Sequence, residues 1–210
     1  MKNDITSIIK NVTMCGLKES IAVSGYPMRN EHPEDWWQKD DDGFDFYCPI
    51  WMERKDKERA SKLGKAPIGS GHDNFLKGIV VQFDLTASEK MWPELQRYHF
   101  IDFVSSMSTM HRLHVMDRQY SEHTDERVLA AFEDVVKCYN EVPTEDNFLR
   151  MIYSYPSGLL LTARLTTNYQ QLKTIYAQRK NHRLPEWRLF CQWIEGLPMV
   201  KELGVIPSEP

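Results

Sequence analysis

Apolar positions along the second half of the chain recur at helical spacing. After Thr124, the residues Val128, Leu129, Phe132, Val135, Val136 and Tyr139 fall at i, i+3 and i+4 intervals, which predicts a helix with one buried stripe. Thr144 follows Pro143 and opens a shorter helix that ends before Tyr155-Pro156. The run SGLLLTARLTT reads as a strand ending at Asn168, a favourable N-cap. The helix from Tyr169 then sets Leu172, Ile175, Tyr176 and Arg179 along one side. A last helix from Pro185 turns Trp187, Cys191 and Ile194 inward and is closed by Gly196 and Pro198.

The first half is less periodic. Its first 30 residues predict short strands, with IAVSGYPMR as a strand running into a turn at Gly25 and Pro27. Residues 30–48 read as an acidic loop insertion anchored by aromatics. A charged helix over about 52–63 leads into the glycine-rich turn APIGSGHDN, and GIVVQFDL is a β-branched strand. Ser88 and Pro93 predict the start of a helix reaching about Ser106, with Leu95, Tyr98, Phe103 and Val104 at helical spacing. There is no internal repeat and no linker, so residues 1–210 read as one α+β domain, an antiparallel or mixed sheet packed with several long helices.

Composition narrows the function classes. Apolar residues are 41% and charged residues 27% of the 210, the balance of an ordinary soluble domain. Lys plus Arg total 26 against 30 acids, for a net charge of −4, which excludes a chain that coats nucleic acid or membrane with its whole surface. No apolar run approaches the roughly 20 residues of a spanning helix. The opening MKNDITSIIKNVTMCG is too polar for a signal peptide, so a cytoplasmic chain is expected. Cys15, Cys48, Cys138 and Cys191 are separated by 32 residues or more, without zinc spacing. Cys138 and Cys191 lie among apolar helical positions and are expected to be buried, inert thiols.

The net charge conceals an asymmetry. Glu31 to Asp45 holds seven acids and one Lys, whereas Arg164 to Arg188 holds six bases (Arg164, Lys173, Arg179, Lys180, Arg183, Arg188) and one acid, Glu186. Guanidinium groups concentrated on and beyond one helix suit phosphate or carboxylate, and nucleotide phosphate is the commonest such ligand. The same bases also fit a solvated face, or one paired with the acidic loop across a subunit contact. His72 lies in a Gly-flanked turn where backbone can approach a ligand. His99 follows Arg97-Tyr98, and His111 and His114 flank Arg112 beside Ser105, Ser106, Ser108 and Thr109. None of these histidines has metal-ligand spacing, and no G-x-S-x-G elbow is present.

Three stretches together resemble the flavin-dependent thymidylate synthases, the thymidylate synthase complementing family. Ser70-Gly71-His72-Asp73 before GIVVQFDL is similar to that family's S-G-H-E turn and following strand. Arg97-Tyr98-His99, with Ser108 beyond, stands where the family has R-H-R-x7-S, with Met107 in register with the serine. Pro156, Thr166, Asn168 and Arg179 fall in register with its P-L…T-x-N…R segment. The likeness spans roughly residues 68 to 195. It implies the family's α+β fold, a homotetramer with shared sites, and methylation of dUMP to dTMP. FAD would be the cofactor, with NADPH and methylenetetrahydrofolate as co-substrates. By position, His72, Arg97, His99 and Asn168 would meet the flavin. Arg179 would hold the uracil edge, and Ser108 and Arg112 would lie near the nucleotide. Beside this enzyme, a nucleotide- or flavin-binding protein without catalysis and a nucleic-acid- or protein-binding accessory factor remain open readings.

Overall fold

A computed structural model describes residues 8–28, 37–39, 45–47 and 54–207. Strand β1 (Ile9–Cys15) ends at Gly16, whose φ of 79° turns the chain into helix α1 (Leu17–Val23). A Cβ at Gly16 would collide with the carbonyl oxygen of Gly78, so only glycine fits the turn. The strand expected over IAVSGYPMR is therefore corrected. Leu17, Lys18 and Glu19 are good helix formers, the Ser20 amide closes the first turn on the Gly16 carbonyl, and Ile21-Ala22 form the buried face. Strands β2 (Trp37–Lys39) and β3 (Asp45–Tyr47) pair antiparallel, with Trp37 opposite Tyr47. The remainder of the acidic 30–48 stretch lies outside the described residues.

Helix α2 (Arg54–Gly64) agrees with the charged helix read from the sequence. Past the glycine-rich turn and a 3-10 turn at Asn74–Gly78, strand β4 (Val80–Ser88) alternates buried and half-buried positions, with Val81, Phe83, Leu85 and Ala87 inside. The long helix expected from Ser88 to Ser106 is not formed. Ser88 is the last residue of β4, and only Trp92–Leu95 is helical (α3). Ile101–Ser106 is strand β5, where Phe103 and Val104 favour extended backbone. A short helix α4 (Thr109–Arg112) and strand β6 (Gln119–Tyr120) follow.

The remaining elements form where the apolar pattern places them, although Val128 of the expected stripe is 47% exposed and the helix from Tyr169 buries Gln171 and Lys173 beside Leu172 and Ile175. Helix α5 (Glu126–Glu141) is capped by Asp125, one residue past Thr124, whose carboxylate accepts from the Arg127 amide. Thr144 caps helix α6 (Glu145–Ser154), strand β7 spans Leu159–Asn168, and helices α7 (Tyr169–Arg179) and α8 (Pro185–Glu195) complete the order. The main sheet has the order β1-β4-β7-β5, with β6 antiparallel to β7. The architecture is α+β.

Packing divides the chain into two units, residues 1–12, 83–166 and 183–190 in the first, and 13–82, 167–182 and 191–210 in the second. The first is organised by Leu113, Phe132, Val136, Met151, Leu159 and Leu161, flanked by Tyr139 and Phe148. Within it Trp187 stacks edge-on to Phe190 at 5.8 Å, and Phe190 to Phe83 at 5.7 Å. The second buries Ile21, Leu76, Ile79, Leu172, Ile175, Leu203 and Tyr169, whose hydroxyl donates to the Pro198 carbonyl at 2.7 Å. Among the described residues no helix is long and apolar enough to cross a membrane.

Candidate functional site

In the second unit, helix α7 carries the sequence-derived candidates. Asn168 is extended at the end of β7, and its side-chain oxygen accepts from the Gln171 amide at 2.9 Å. This cap satisfies one of the first-turn amides and fixes where the helix begins. Arg179 stands half-buried in the last turn, a favourable place for a cation. It is near enough to Cys191 of α8 to oppose the burial and the Glu195 charge that together push that thiol up to about 12. Cys191 is thus the buried, inert thiol expected. Cys138 is not: it is exposed on α5.

The glycine-rich turn is tied to the same helix. Gly69 and Gly71 have φ of 87° and 81°, and His72 projects into solvent from the turn they shape. The next residue, Asp73, is wholly buried. Its Oδ2 accepts from Lys173 Nζ at 2.9 Å, and its Oδ1 from Gln170 Nε2 at 3.0 Å. Lys173 also donates to the carbonyls of Gly64 and Ala66 at 2.8 and 2.7 Å, so all three ammonium protons are satisfied. His72, Asn168 and Arg179 are therefore mounted on one framework, α7 and the turn bolted to it.

The first unit holds the other candidates. Arg97 and His99 are exposed between α3 and β5, and Arg112 is exposed at the end of α4. Ser108 is half-buried and caps α4, its oxygen accepting from the His111 amide at 3.3 Å. It borders a cavity of about 290 Å³ with Glu89, Trp92, Gln96, Phe103 and Thr109, whereas Arg97 and His99 do not line it. Burial raises the Glu89 pKa, and the Trp92 indole nitrogen is buried without a hydrogen-bond partner among the described residues. A larger cavity of about 430 Å³ lies where Lys90, Ser121, His123, Thr124, Ser157 and Leu189 meet. The sequence offers no local signal for either cavity, because each wall is assembled from several separate segments of the chain.

The basic stretch from Arg164 to Arg188 does not act as one patch. Lys173 is committed to the buried node just described. Arg164 donates to the Asn11 carbonyl at 2.6 Å and to Asp84 at 3.2 Å, and Asn11 and Arg164 hold the Asp84 carboxyl below its usual range. Arg188 donates to the Arg183 carbonyl at 2.8 Å. Among the described residues no cluster of His, Cys, Asp or Glu is placed to hold a metal ion.

Neither a family model nor a curated protein sequence matches the chain. Solved structures do. The chain superposes on a crystal structure of the flavin-dependent thymidylate synthase ThyX from Helicobacter pylori complexed with FAD and dUMP, with a TM-score of 0.65 and 16% identity. That match covers 93% of this chain and 98% of the other. A second structure of ThyX from Helicobacter pylori, with FAD and dUMP, matches at TM-score 0.63 and 17% identity, covering 94% and 96%. The chain shares the ThyX fold. At such identity the likeness concerns architecture, and residue roles have to be argued from the side chains.

Proposed function

We propose that the chain is a divergent flavin-dependent thymidylate synthase-like enzyme. It methylates dUMP or a related pyrimidine nucleotide, with FAD as cofactor and NADPH and methylenetetrahydrofolate as co-substrates. The observation that carries this reading is the common mounting of His72, Asn168 and Arg179 on α7, in a fold whose Helicobacter pylori counterparts hold FAD and dUMP. The donor set suits a flavin. A Cβ at Gly69 would meet open space, so a ligand has access to the turn's backbone. His72 and the Asn168 amide nitrogen offer hydrogen bonds to a carbonyl-rich ring edge, the Asn168 oxygen being taken by its cap. When bound, the reduced flavin supplies the hydride. Arg179 donates to the uracil edge and stabilises charge as it develops on the ring. Arg97 and His99 are assigned to the flavin, and Ser108 and Arg112 to the nucleotide. Cys191 is buried and out of a ligand's reach, and the residues assigned here offer orientation and charge.

A homo-oligomer, a tetramer by the family resemblance, and a cytoplasmic setting complete the proposal. Strand β5 supports the oligomer. From Asp102 to Ser106 it is exposed on both faces, and Phe100, Val104 and Met110 nearby are 55%, 57% and 52% exposed. So much apolar surface in one segment marks a protein contact.

A second reading, a protein of this fold that binds flavin or nucleotide without methylation, is favoured by one feature. The residue in register with the signature serine is the exposed Met107, and the guanidinium after Tyr98 is replaced by His99. Titration with FAD and a nucleotide panel, followed by assay for dTMP, separates the two. The enzyme reading expects a yellow protein, thermal stabilisation by FAD and dUMP, and turnover. Binding without turnover supports the second reading, a colourless protein that FAD does not stabilise sinks the enzyme reading, and one stabilised by neither FAD nor any nucleotide sinks both. Arg179→Ala is expected to abolish the dUMP-induced shift while the unliganded protein melts normally; an unchanged shift removes that assignment.

A further inference from the structure

Lys173 belongs to none of the roles carried by the resemblance, and its position in the basic stretch suggests a surface base. Its surroundings say otherwise. The side chain is 10% exposed and Asp73 is 0% exposed, so the ion pair is closed off from solvent. Burying an ammonium this deeply is costly unless every proton finds an acceptor. Here the acceptors are the carbonyls of Gly64 and Ala66 and the Asp73 carboxylate. Gly64 is the last residue of α2, so the ammonium also satisfies a helix-terminal carbonyl. One side chain on the second turn of α7 thereby pins the end of α2, the entry to the glycine-rich turn and its last residue.

We infer that Lys173 is a positioning residue, fixing the turn that carries His72 at a set place relative to Asn168 and Arg179. This rests on the flavin reading of the turn. The turn needs such a device. Between Pro67 and His72 every residue is exposed, and two glycines there hold positive φ, so its own packing does not define it. Asp73 is its inward anchor. The Gln170 amide of the same helix adds two further ties, donating to Asp73 Oδ1 at 3.0 Å and to Asn74 Oδ1 at 3.3 Å. Loss of Lys173 frees the turn and leaves His72 with many orientations, of which a ligand must select one.

Flavin fluorescence quenching on the full chain provides the test, with hydrogen exchange of the 66–74 amides as a ligand-independent readout. Lys173→Met strands a buried carboxylate and is prone to misfold, so the informative variant is Asp73→Asn with Lys173→Met, which removes both charges. In a folded double variant FAD binding is expected to weaken, by up to about a hundredfold for a misplaced group. Adding His72→Ala on that background should cost nothing further, although His72→Ala alone weakens binding. Wild-type affinity in the double variant, or fully additive losses, overturns the inference. If the wild-type protein takes up no FAD, the flavin reading falls, and the exchange arm decides the role of Lys173. Faster exchange confined to residues 66–74, with α5 and α6 unchanged, sustains positioning; unchanged exchange there refutes it.

Discussion

Two interiors of this chain are built on opposite principles. Around α5, α6 and β7 the inside is apolar, Phe132, Val136, Met151, Leu159 and Leu161 in mutual contact, and charge is kept to the rim. There Arg118 reaches both carboxylate oxygens of Glu133, at 2.9 and 2.6 Å, with the Tyr120 hydroxyl at 3.1 Å. Beneath the 66–74 turn an ion pair, Lys173 and Asp73, is buried in a unit whose core is otherwise apolar. An apolar interior tolerates approximate fits, because burial is non-directional. A buried ion pair holds its neighbours to one geometry, since each unmet hydrogen bond is costly. The contrast fits their proposed uses, general stability in one and placement of a ligand-binding turn in the other.

The largest expected effects break each interior in turn. Asp73→Ala leaves the Lys173 ammonium buried without its counter-ion and should cost about 3–5 kcal/mol of unfolding free energy by denaturant titration. Phe132→Ala should cost a similar ~3–5 kcal/mol through the cavity it leaves. The double variants distinguish the principles. Adding Lys173→Met to Asp73→Asn should restore part of the loss, since no charge is then buried without its counter-ion. Adding Met151→Ala to Phe132→Ala should deepen it. A node in which the second substitution also deepens the loss would be ordinary packing, and the contrast would fail.

A different scale applies to surface apolar residues. Val104→Glu with Met110→Glu on and beside β5 should leave the monomer folded and shift the oligomer to a smaller species in light scattering. An unaltered oligomer would assign that exposed surface to something other than a second copy.

The apolar interior was largely legible in the sequence and the ionic one was not, for a physical reason. A helix that buries one stripe repeats every 3.6 residues, so α5, α6 and α8 declare themselves within a short window, whereas α7 buries Gln171 and Lys173 beside its apolar residues and shows no such stripe. Asn168, Thr144 and Pro185 mark their starts by local chemistry. Lys173 and Asp73 lie 100 residues apart, and nothing local to either distinguishes a buried partner from a solvated charge. The errors share a cause. Phe103 and Val104 fit helical spacing, yet β5 is exposed on both faces and shows no alternation to betray a strand. Cys138 has apolar neighbours in Val135, Val136 and Tyr139, but it lies about 200° around the helix from the buried Val136, at roughly 100° per residue. Of the site candidates, Asn168 declares itself locally only as a cap; its flavin role, like the flavin and nucleotide roles of His72, Arg97, His99, Ser108, Arg112 and Arg179, follows from the resemblance and is a proposal.

At the rim of the apolar interior a smaller effect is expected. Arg118 holds the Glu133 carboxyl below the usual range, mainly by direct hydrogen bonding against a modest burial penalty. Because the folded-state pKa is depressed, its stabilisation is fully present above the ordinary Glu value of about 4.3. It is lost as pH falls through the lower folded value. Glu133 is 45% exposed, so solvent screening limits the pair, and Glu133→Gln should cost about 1 kcal/mol or less at pH 7. The difference between variant and wild type should vanish in strong acid; a difference that persists there would locate the effect in packing instead of charge.

The smallest perturbation uses the two thiols as reporters, one on each side of the contrast. Cys138 is exposed on α5, while Cys191 is 2% exposed within the second unit and its pKa is pushed up to about 12. A thiol reagent at pH 8, followed peptide by peptide, should modify Cys138 in the native protein and Cys191 only after opening, because reaction needs an accessible thiolate. In the Asp73→Asn, Lys173→Met variant the Cys138 rate should be unchanged, since α5 belongs to the apolar interior. The Cys191 rate should rise only if loosening spreads from the turn through α7 to α8. A rate unchanged at both cysteines would confine the ionic node's influence to the turn it pins, which is the behaviour expected of a positioning device.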